Sequence, residues 1–348
     1  MPKTLGFSLY LSTFDHQWPT LRVWAGTGAP IFLSLHISEE FDATYCQRAR
    51  EICHLLAVQG FRTIADVSRK TLQQFGCESL TELAQELKLW GLRIDYGFSA
   101  EEIGEMAQIM PIILNASTTA PADARRIAEM GQEVFALHNF YPRPETGLDE
   151  ELLKLTTDRL KEAGLSVQCF IPGDTLLRGP LHEGLPTLEA HRKALPSAAF
   201  VDMALRFGME DIFLADPGLS EKEQQRITHF CQTGVICVPA VLDENWKHLY
   251  GKTFTRRIDS PRWLIRFQES RVYSCQGEIV EPENCTERRR GSITVDNRNY
   301  GRYSGELMLL REDLPADDRV NVIGAVPENA WLLVDRIGRG AKFMLVEV

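Results

Sequence analysis

Hydrophobic and polar positions along the chain repeat one phrase: an amphipathic helix, a glycine, then a short and nearly continuous apolar run. It reads LLAVQG-FRTIADVS at 55–68, ELKLWG-LRIDYGFS at 86–99 and IAEMG-QEVFALHNF at 127–140. It returns as LKEAG-LSVQCFIPG at 160–173 and LRFG-MEDIFLAD at 205–216. Glycine ends a helix because it accepts the left-handed conformation just past the last turn. Apolar runs with polar far ends predict strands buried on both faces, as in a parallel sheet covered by helices. Eight such strands stand at 5–11, 31–36, 62–67, 92–97, 111–116, 133–138, 166–171 and 211–215. Eight strand–helix units in this length predict the α/β class and a closed (β/α)₈ TIM barrel. An open doubly wound sheet is the alternative. It normally carries a Gly-rich nucleotide loop after its first strand. STFDHQWPTLRVWAG at that place has no GxGxxG.

Beyond about residue 245 the helical period gives way to short β-rich pieces separated by turn residues. They are RVYSCQGEIV, GSITVDNRNYG, GELMLLR, RVNVIGAV and WLLVDRI. These predict a small all-β barrel or sandwich. Gly338-Arg339-Gly340 lacks a strand–loop–helix setting and reads as a tight turn, not a phosphate loop. A ninth apolar run, GVICVPAVLD at 234–243, is placed at the junction. The expected division is therefore a barrel over 1–240 and a β domain over 241–348.

Composition narrows the partners. The 348 residues are 44% hydrophobic and 25% charged, with net charge −10. So acidic a chain has no global attraction for nucleic acid or anionic lipid. The N-terminal apolar run ends at Asp15 and reads as a first strand, not a signal peptide. No stretch approaches the roughly 18 apolar residues of a membrane span. The eight cysteines include no CxxC pair, which predicts reduced thiols and a cytoplasmic protein. A monomer and a homodimer both remain open.

Chemistry in such a barrel belongs at the C-terminal strand ends. Reading them off gives His36 after strand two, Asp66 after three, Asp95 after four and Asn115 after five. Strand six ends in His138-Asn139-Phe140-Tyr141-Pro142-Arg143, and strand eight at Asp216. Asp66 and Asp95 stand at equivalent places on adjacent strands. A carboxylate pair suits glycosidic cleavage, one as acid and the other as base, nucleophile or orienter. The alternative for each is a helix cap or an ion pair, and Arg93 is the obvious partner of Asp95. Phe140 and Tyr141 offer rings to stack on a sugar, and His138 and Asn139 offer hydrogen bonds. Arg143 offers a two-pronged anion contact. The loop at 173–192 adds Arg178, His182, Glu189, His191 and Arg192. In the β domain, Asp296, Asn297, Tyr300, Arg302 and Tyr303 crowd one turn. It reads either as a hairpin on Asn/Gly turn chemistry or as a cover that adds a binding group to the barrel mouth. No HExxH, HxH or GxSxG occurs, so no metal and no cofactor are expected.

The pieces IADVS, LRIDYGFS, HNFYPRPETGL, GLPTLEAHR, LADPGLS and GSITVDNRNYGRYSGEL resemble the MupG-type 6-phospho-N-acetylmuramidase family. The likeness runs nearly end to end. It implies a TIM barrel followed by a cyclophilin-like β domain. It also implies an intracellular glycoside hydrolase that cleaves 6-phospho-N-acetylmuramic acid from N-acetylglucosamine in peptidoglycan recycling. A substrate with a phosphate and a lactyl carboxylate needs cations, for which Arg143, Arg178, Arg192 and Arg302 are candidates. The N-acetyl group opens a second route, attack by its own oxygen on the anomeric carbon. A metal-dependent aldolase or isomerase, and a non-catalytic carbohydrate-binding protein, are the rival readings.

Overall fold

Eight parallel strands close on themselves in chain order, each paired with its neighbours in sequence and the eighth with the first. They are β1 Leu5–Leu9, β2 Pro30–Ser34, β3 Arg62–Val67, β4 Gly91–Ile94, β5 Ile112–Asn115, β6 Val134–Leu137, β7 Ser166–Ile171 and β8 Ile212–Leu214. The computed structural model describes residues 4–35, 44–131, 133–270 and 279–348. His36 lies outside them. Helices follow the strands: α1 Phe14–Leu21, α2 Tyr45–Val58, α3 Arg69–Phe75, α4 Leu80–Glu86, α5 Ala100–Ala107, α6 Pro121–Met130, α7 Glu150–Glu162, α8 Pro196–Leu205 and α9 Glu221–Thr233. Ser99 and Glu102 form a capping box at α5, and Asp149 caps α7. Pro121 and Pro196 open α6 and α8, where a missing N–H costs nothing.

The helix-ending glycines do two different jobs. Gly60, Gly164 and Gly208 take positive φ, as the phrase predicts. Gly131 is extended instead. A Cβ there would stand 2.6 Å from Ala107 Cβ, so close packing rather than handedness selects it.

Strand parity sorts the barrel's side chains. One set fills the interior: Tyr10, Phe32, Ile64, Ile113, Leu137, Phe170, Phe213 and Ala215 form a single buried cluster. The alternate set, including Leu33, Ala65, Leu92, Leu114, Ala136 and Leu214, is equally buried. Two buried faces explain why the strands read as continuous apolar runs.

The chain divides into two compact units, 1–224 and 225–348. The ninth apolar run is a strand of the second unit, β9 Ile236–Leu242, paired on both sides. The observed division thus falls within α9, before β9, rather than at the expected 240/241. Apolar residues at β9 reflect a central place in the second sheet, not a junction. That sheet adds β10 Thr253–Thr255, β11 Leu264–Arg266, β12 Ser292–Asp296, β13 Leu307–Leu310, β14 Val320–Ala325 and β15 Lys342–Glu347. Its order is β10-β15-β9-β14-β12-β13-β11. Phe254, Phe267 and Phe343 stack in its core.

One piece read as β is a helix, α10 Trp331–Arg336. Ala330, Leu333, Val334 and Ile337 are its buried positions, a helical spacing inside too short a run to outweigh the apparent alternation. Gly338-Arg339-Gly340 is a turn, closed by the Ala341 N–H on the Gly338 carbonyl at 3.1 Å. Most of RVYSCQGEIV, residues 271–278, lies outside the described residues.

Gly6 occupies an interior position on β1. A Cβ there would stand 2.6 Å from Phe213 Cδ1, and Phe213 is itself held in the packed cluster. Gly6→Ala is expected to cost about 1–3 kcal/mol by overpacking. Chemical unfolding of wild type and variant measures this, and equal midpoints would show that the interior has slack.

Candidate active site

Parity also decides which strand-end polar groups meet. Asp66, Arg93, Asn115 and Asn139 share the interior parity of Ile64, Ile113 and Leu137. Arg93 lies directly across from Asp66 in the β3–β4 register. Its Nη1 donates to Asp66 Oδ1 at 2.9 Å, and its Nη2 donates to Asn139 Oδ1 at 2.5 Å. Asp95 stands two residues beyond Arg93. Its Oδ1 is 4.0 Å from the same Nη1 and accepts from Asn115 Nδ2 at 3.4 Å. Arg93 is therefore chiefly the partner of Asp66, not of Asp95 as its sequence position suggested. Both carboxylates reach one nitrogen, so these two oxygens lie no more than about 7 Å apart, an upper bound that admits the separation of a retaining glycosidase pair. The Arg93 and Asp66 side chains are 5% and 11% exposed, and that of Asp95 is 32% exposed. The inner carboxylate is locked and the outer one is accessible. The Arg93 guanidinium caps Phe32 at 6.0 Å, which puts the group on top of the interior cluster.

His138 has the opposite parity and leaves this group. It is fully buried, and its Nε2 is 3.0 Å from Thr157 Oγ1 on α7. Burial pushes its imidazole down to about 4. Phe140 packs edge-on against Phe170 at 5.0 Å and serves the interior cluster. Tyr141 presents its hydroxyl 3.5 Å from Ser117 Oγ. Arg143 is exposed, and no carboxylate pairs with its guanidinium among the described residues.

Glu189 and Arg192 are spent on each other and on the backbone. Arg192 Nε and Nη2 each donate to the Glu189 carboxylate at 2.7 Å. Its other donors take the carbonyls of Gly184, Tyr141 and Arg143. Glu189 accepts in addition from the backbone N–H groups of Glu145 and Gly147. This clamp stitches the loop after β7 to the loop after β6. Beside it, His191 Nε2 and Asp202 Oδ2 are 2.8 Å apart and buried.

Earlier in the loop after β7, the Arg178 guanidinium lies 4.3 Å over the Tyr10 ring. Asp216 is fully buried and accepts three backbone N–H bonds. Tyr10 and Arg93 escaped the strand-end reading as site members. Each has the interior parity of its strand, and that period was the signal for them.

In the second unit, β12 and β13 form the hairpin that turn chemistry predicted, joined by a 3-10 turn over Arg298–Tyr303. Asn297 is fully buried and donates to Asp318 O and Asn321 Oδ1. Asp296 is buried, which pushes it up to about 7, with Glu306 and Asp317 adding to the effect. Arg302 is exposed, donating to Tyr303 Oη at 2.9 Å.

Two family models match nearly the whole chain. The N-terminal 6-phospho-N-acetylmuramidase model covers residues 5–229 and the C-terminal one covers 236–346. The chain belongs to the 6-phospho-N-acetylmuramidase family. It is accordingly a glycosidase acting on a phosphorylated sugar, which sets aside the aldolase, isomerase and non-catalytic readings. Among solved structures, a conserved Enterococcus faecalis protein of unknown function is 30% identical with a TM-score of 0.86, covering 99% of this chain and 96% of that one. An uncharacterised B. cereus protein shares the fold at 23% identity and TM-score 0.80, each chain covered in full. A UPF0288 protein of Methanothermobacter thermautotrophicus is 43% identical over 68 residues, 20% of this chain and only 12% of that protein. Among the described residues no helix is long and apolar enough to cross a membrane, and no group of three or more His, Cys, Asp or Glu is placed to hold a metal ion.

The clamp has a pH signature. Hydrogen bonds from Arg192, then from the Glu145 and Gly147 N–H groups, hold Glu189 down from 4.5 to about 2. A depressed carboxylate contributes stability that is complete above its unfolded value and is lost as pH falls through the folded one. Wild type should therefore lose stability between about 4.5 and 2 in excess of Glu189→Gln. Thermal midpoints across that range measure it, and parallel profiles would contradict the clamp's role.

Proposed function

We propose that the Asp66–Asp95 pair hydrolyses the bond joining 6-phospho-N-acetylmuramic acid to N-acetylglucosamine, in the cytoplasm, during recycling of cell-wall sugars. The observation that carries this reading is the sharing of one buried guanidinium by two inward carboxylates, in a chain of this family. Asp66 is fixed as an acceptor for Arg93, which suits a group that enters the reaction ionised. The more accessible Asp95 delivers a proton to the glycosidic oxygen as the bond from that oxygen to C1 breaks. C1 is then taken either by the Asp66 carboxylate or by the substrate's acetamido oxygen, oriented by Asp66 through its N–H. Water attacks C1 in the second step and returns its proton to Asp95. Both routes give Asp95 the same role, whereas Asp66 is the nucleophile in the first and the orienting carboxylate in the second.

The sugar's anions call for cations without carboxylate partners. Arg178 and Arg143 fit, whereas Arg192 supports the loops that carry them. Asn115 and Asn139 orient Asp95 and Arg93 and offer amides to sugar hydroxyls. The seven described cysteines are free thiols, which suits a reducing compartment.

Asp95→Asn should lower kcat by about 10²- to 10⁴-fold, as expected for loss of a general acid. Asp66→Asn should fall comparably. Release of N-acetylglucosamine from the phosphorylated disaccharide is the assay. Near-normal turnover by Asp95→Asn removes it from the mechanism, and no release by wild type sinks the proposed reaction.

A further inference from the structure

The rim formed by the loops after β7 and β8 holds a second constellation that the bond-breaking chemistry leaves unused. In TIM barrels these two loops commonly bind a substrate phosphate through backbone N–H groups. Here a side chain of the protein occupies the backbone donors. Asp216 follows β8 with outward parity, since Phe213 and Ala215 face the interior. Its Oδ2 accepts from Gly173 N at 2.9 Å and Leu185 N at 3.0 Å, and its Oδ1 accepts from Arg178 N at 3.0 Å. Three points of one loop are thus strung on one buried carboxylate. The two loops also close on each other. A Cβ on Gly218 would stand 2.1 Å from Leu176 N, so the two backbones are in direct contact there.

What the rim still offers is the Arg178 side chain. The same residue whose N–H is tied to Asp216 lays its guanidinium 4.3 Å over the Tyr10 ring. Tyr10 is buried, belongs to the interior cluster and donates its hydroxyl to Ala215 O at 2.6 Å. Arg178 therefore caps the same cluster that Arg93 caps through Phe32. Arg93, Arg192 and Arg206 are each paired with a carboxylate. Among the described residues Arg178 has no carboxylate within ion-pair distance, Asp216 acting on it only from farther off, and it is half-buried. A stacked, unpaired guanidinium is pre-organised for a phosphate, which it meets with two parallel N–H bonds.

We propose that Arg178 is the receptor for the substrate's 6-phosphate, and that Asp216 is the positioning residue that holds it there by threading the 173–185 loop. This assignment rests on the phosphosugar reading above. It chooses the phosphate over the lactyl carboxylate because the loops after strands 7 and 8 carry it.

The test uses the full chain and two ligands that separate the anions. N-acetylglucosamine 6-phosphate has the phosphate alone, and N-acetylmuramic acid has the lactyl carboxylate alone. Calorimetry with wild type, Arg178→Gln, Asp216→Asn and the double variant gives the affinities. Arg178→Gln should weaken the phosphate ligand by roughly 10- to 100-fold, well beyond its effect on the lactyl ligand. On the phosphorylated disaccharide it should raise KM more than it lowers kcat. Asp216→Asn should lose phosphate preference in the same direction, and should add no further loss in the Arg178→Gln background. Equal weakening of both ligands by Arg178→Gln, or selective loss of the lactyl ligand, overturns the receptor assignment. An undiminished effect of Asp216→Asn in the double variant overturns the positioning role. Should Asp216→Asn not fold, Asp216→Glu replaces it: weaker phosphate binding in a folded protein supports the role, and unchanged binding overturns it. Wild type that binds the phosphate ligand but leaves the disaccharide intact would count against the proposed reaction and not against this inference.

Discussion

The guanidinium of Arg93 stands inside the top of the barrel, over Phe32 and almost without access to water. A cation in that place costs several kcal/mol unless its donors are met. Asp66 from β3 and Asn139 from the end of β6 meet two of them, and Asp95 adds its charge from beyond β4. One desolvated charge thereby ties together three strand ends. It fixes the inner carboxylate, aims the outer one and sets their separation. Removing Asp66 would leave the buried cation with Asp95 at 4.0 Å as its remaining carboxylate, a loss that approaches the roughly 3–5 kcal/mol of a broken buried pair. The geometry that suits catalysis is therefore also a requirement of folding.

The loops obey a related rule with the signs reversed. Backbone N–H groups of an ordered loop need acceptors, and two carboxylates supply them. Glu189 takes the N–H groups of Glu145 and Gly147 while gripping Arg192. Asp216 takes three from the stretch between Gly173 and Leu185. Carboxylates committed to backbone hold the loops in shape, which leaves Arg143 and Arg178 without a carboxylate at ion-pair distance among the described residues.

The eight strands were legible because burial on both faces makes each a continuous apolar run with a polar end. The same property hid the direction of the end residues. A run that is apolar on both faces has no alternation to read, so His138 and Asn139 looked equivalent. In the barrel they are one step of a period-two strand apart. One turns to Thr157 on α7 and the other to Arg93. Anchoring the parity on Asp66 and Arg93 and carrying it around the barrel would have separated them. The clamp's reach was not legible, since Glu189 and Arg192 pair across three residues but hold backbone groups of the loop after β6 more than 40 residues away. Residues 234–243 misled for another reason. A central strand of a second sheet is as apolar as a barrel strand, and only pairing tells them apart.

Everything functional here depends on the two carboxylates addressing one scissile bond. A crystal structure of the Asp95→Asn variant with the phosphorylated disaccharide tests that directly. The account predicts the glycosidic oxygen within hydrogen-bond reach of the residue at 95, with the anomeric carbon or the acetamido N–H against Asp66. A disaccharide seated elsewhere, with Asp66 and Arg93 still paired beneath empty solvent, would contradict it.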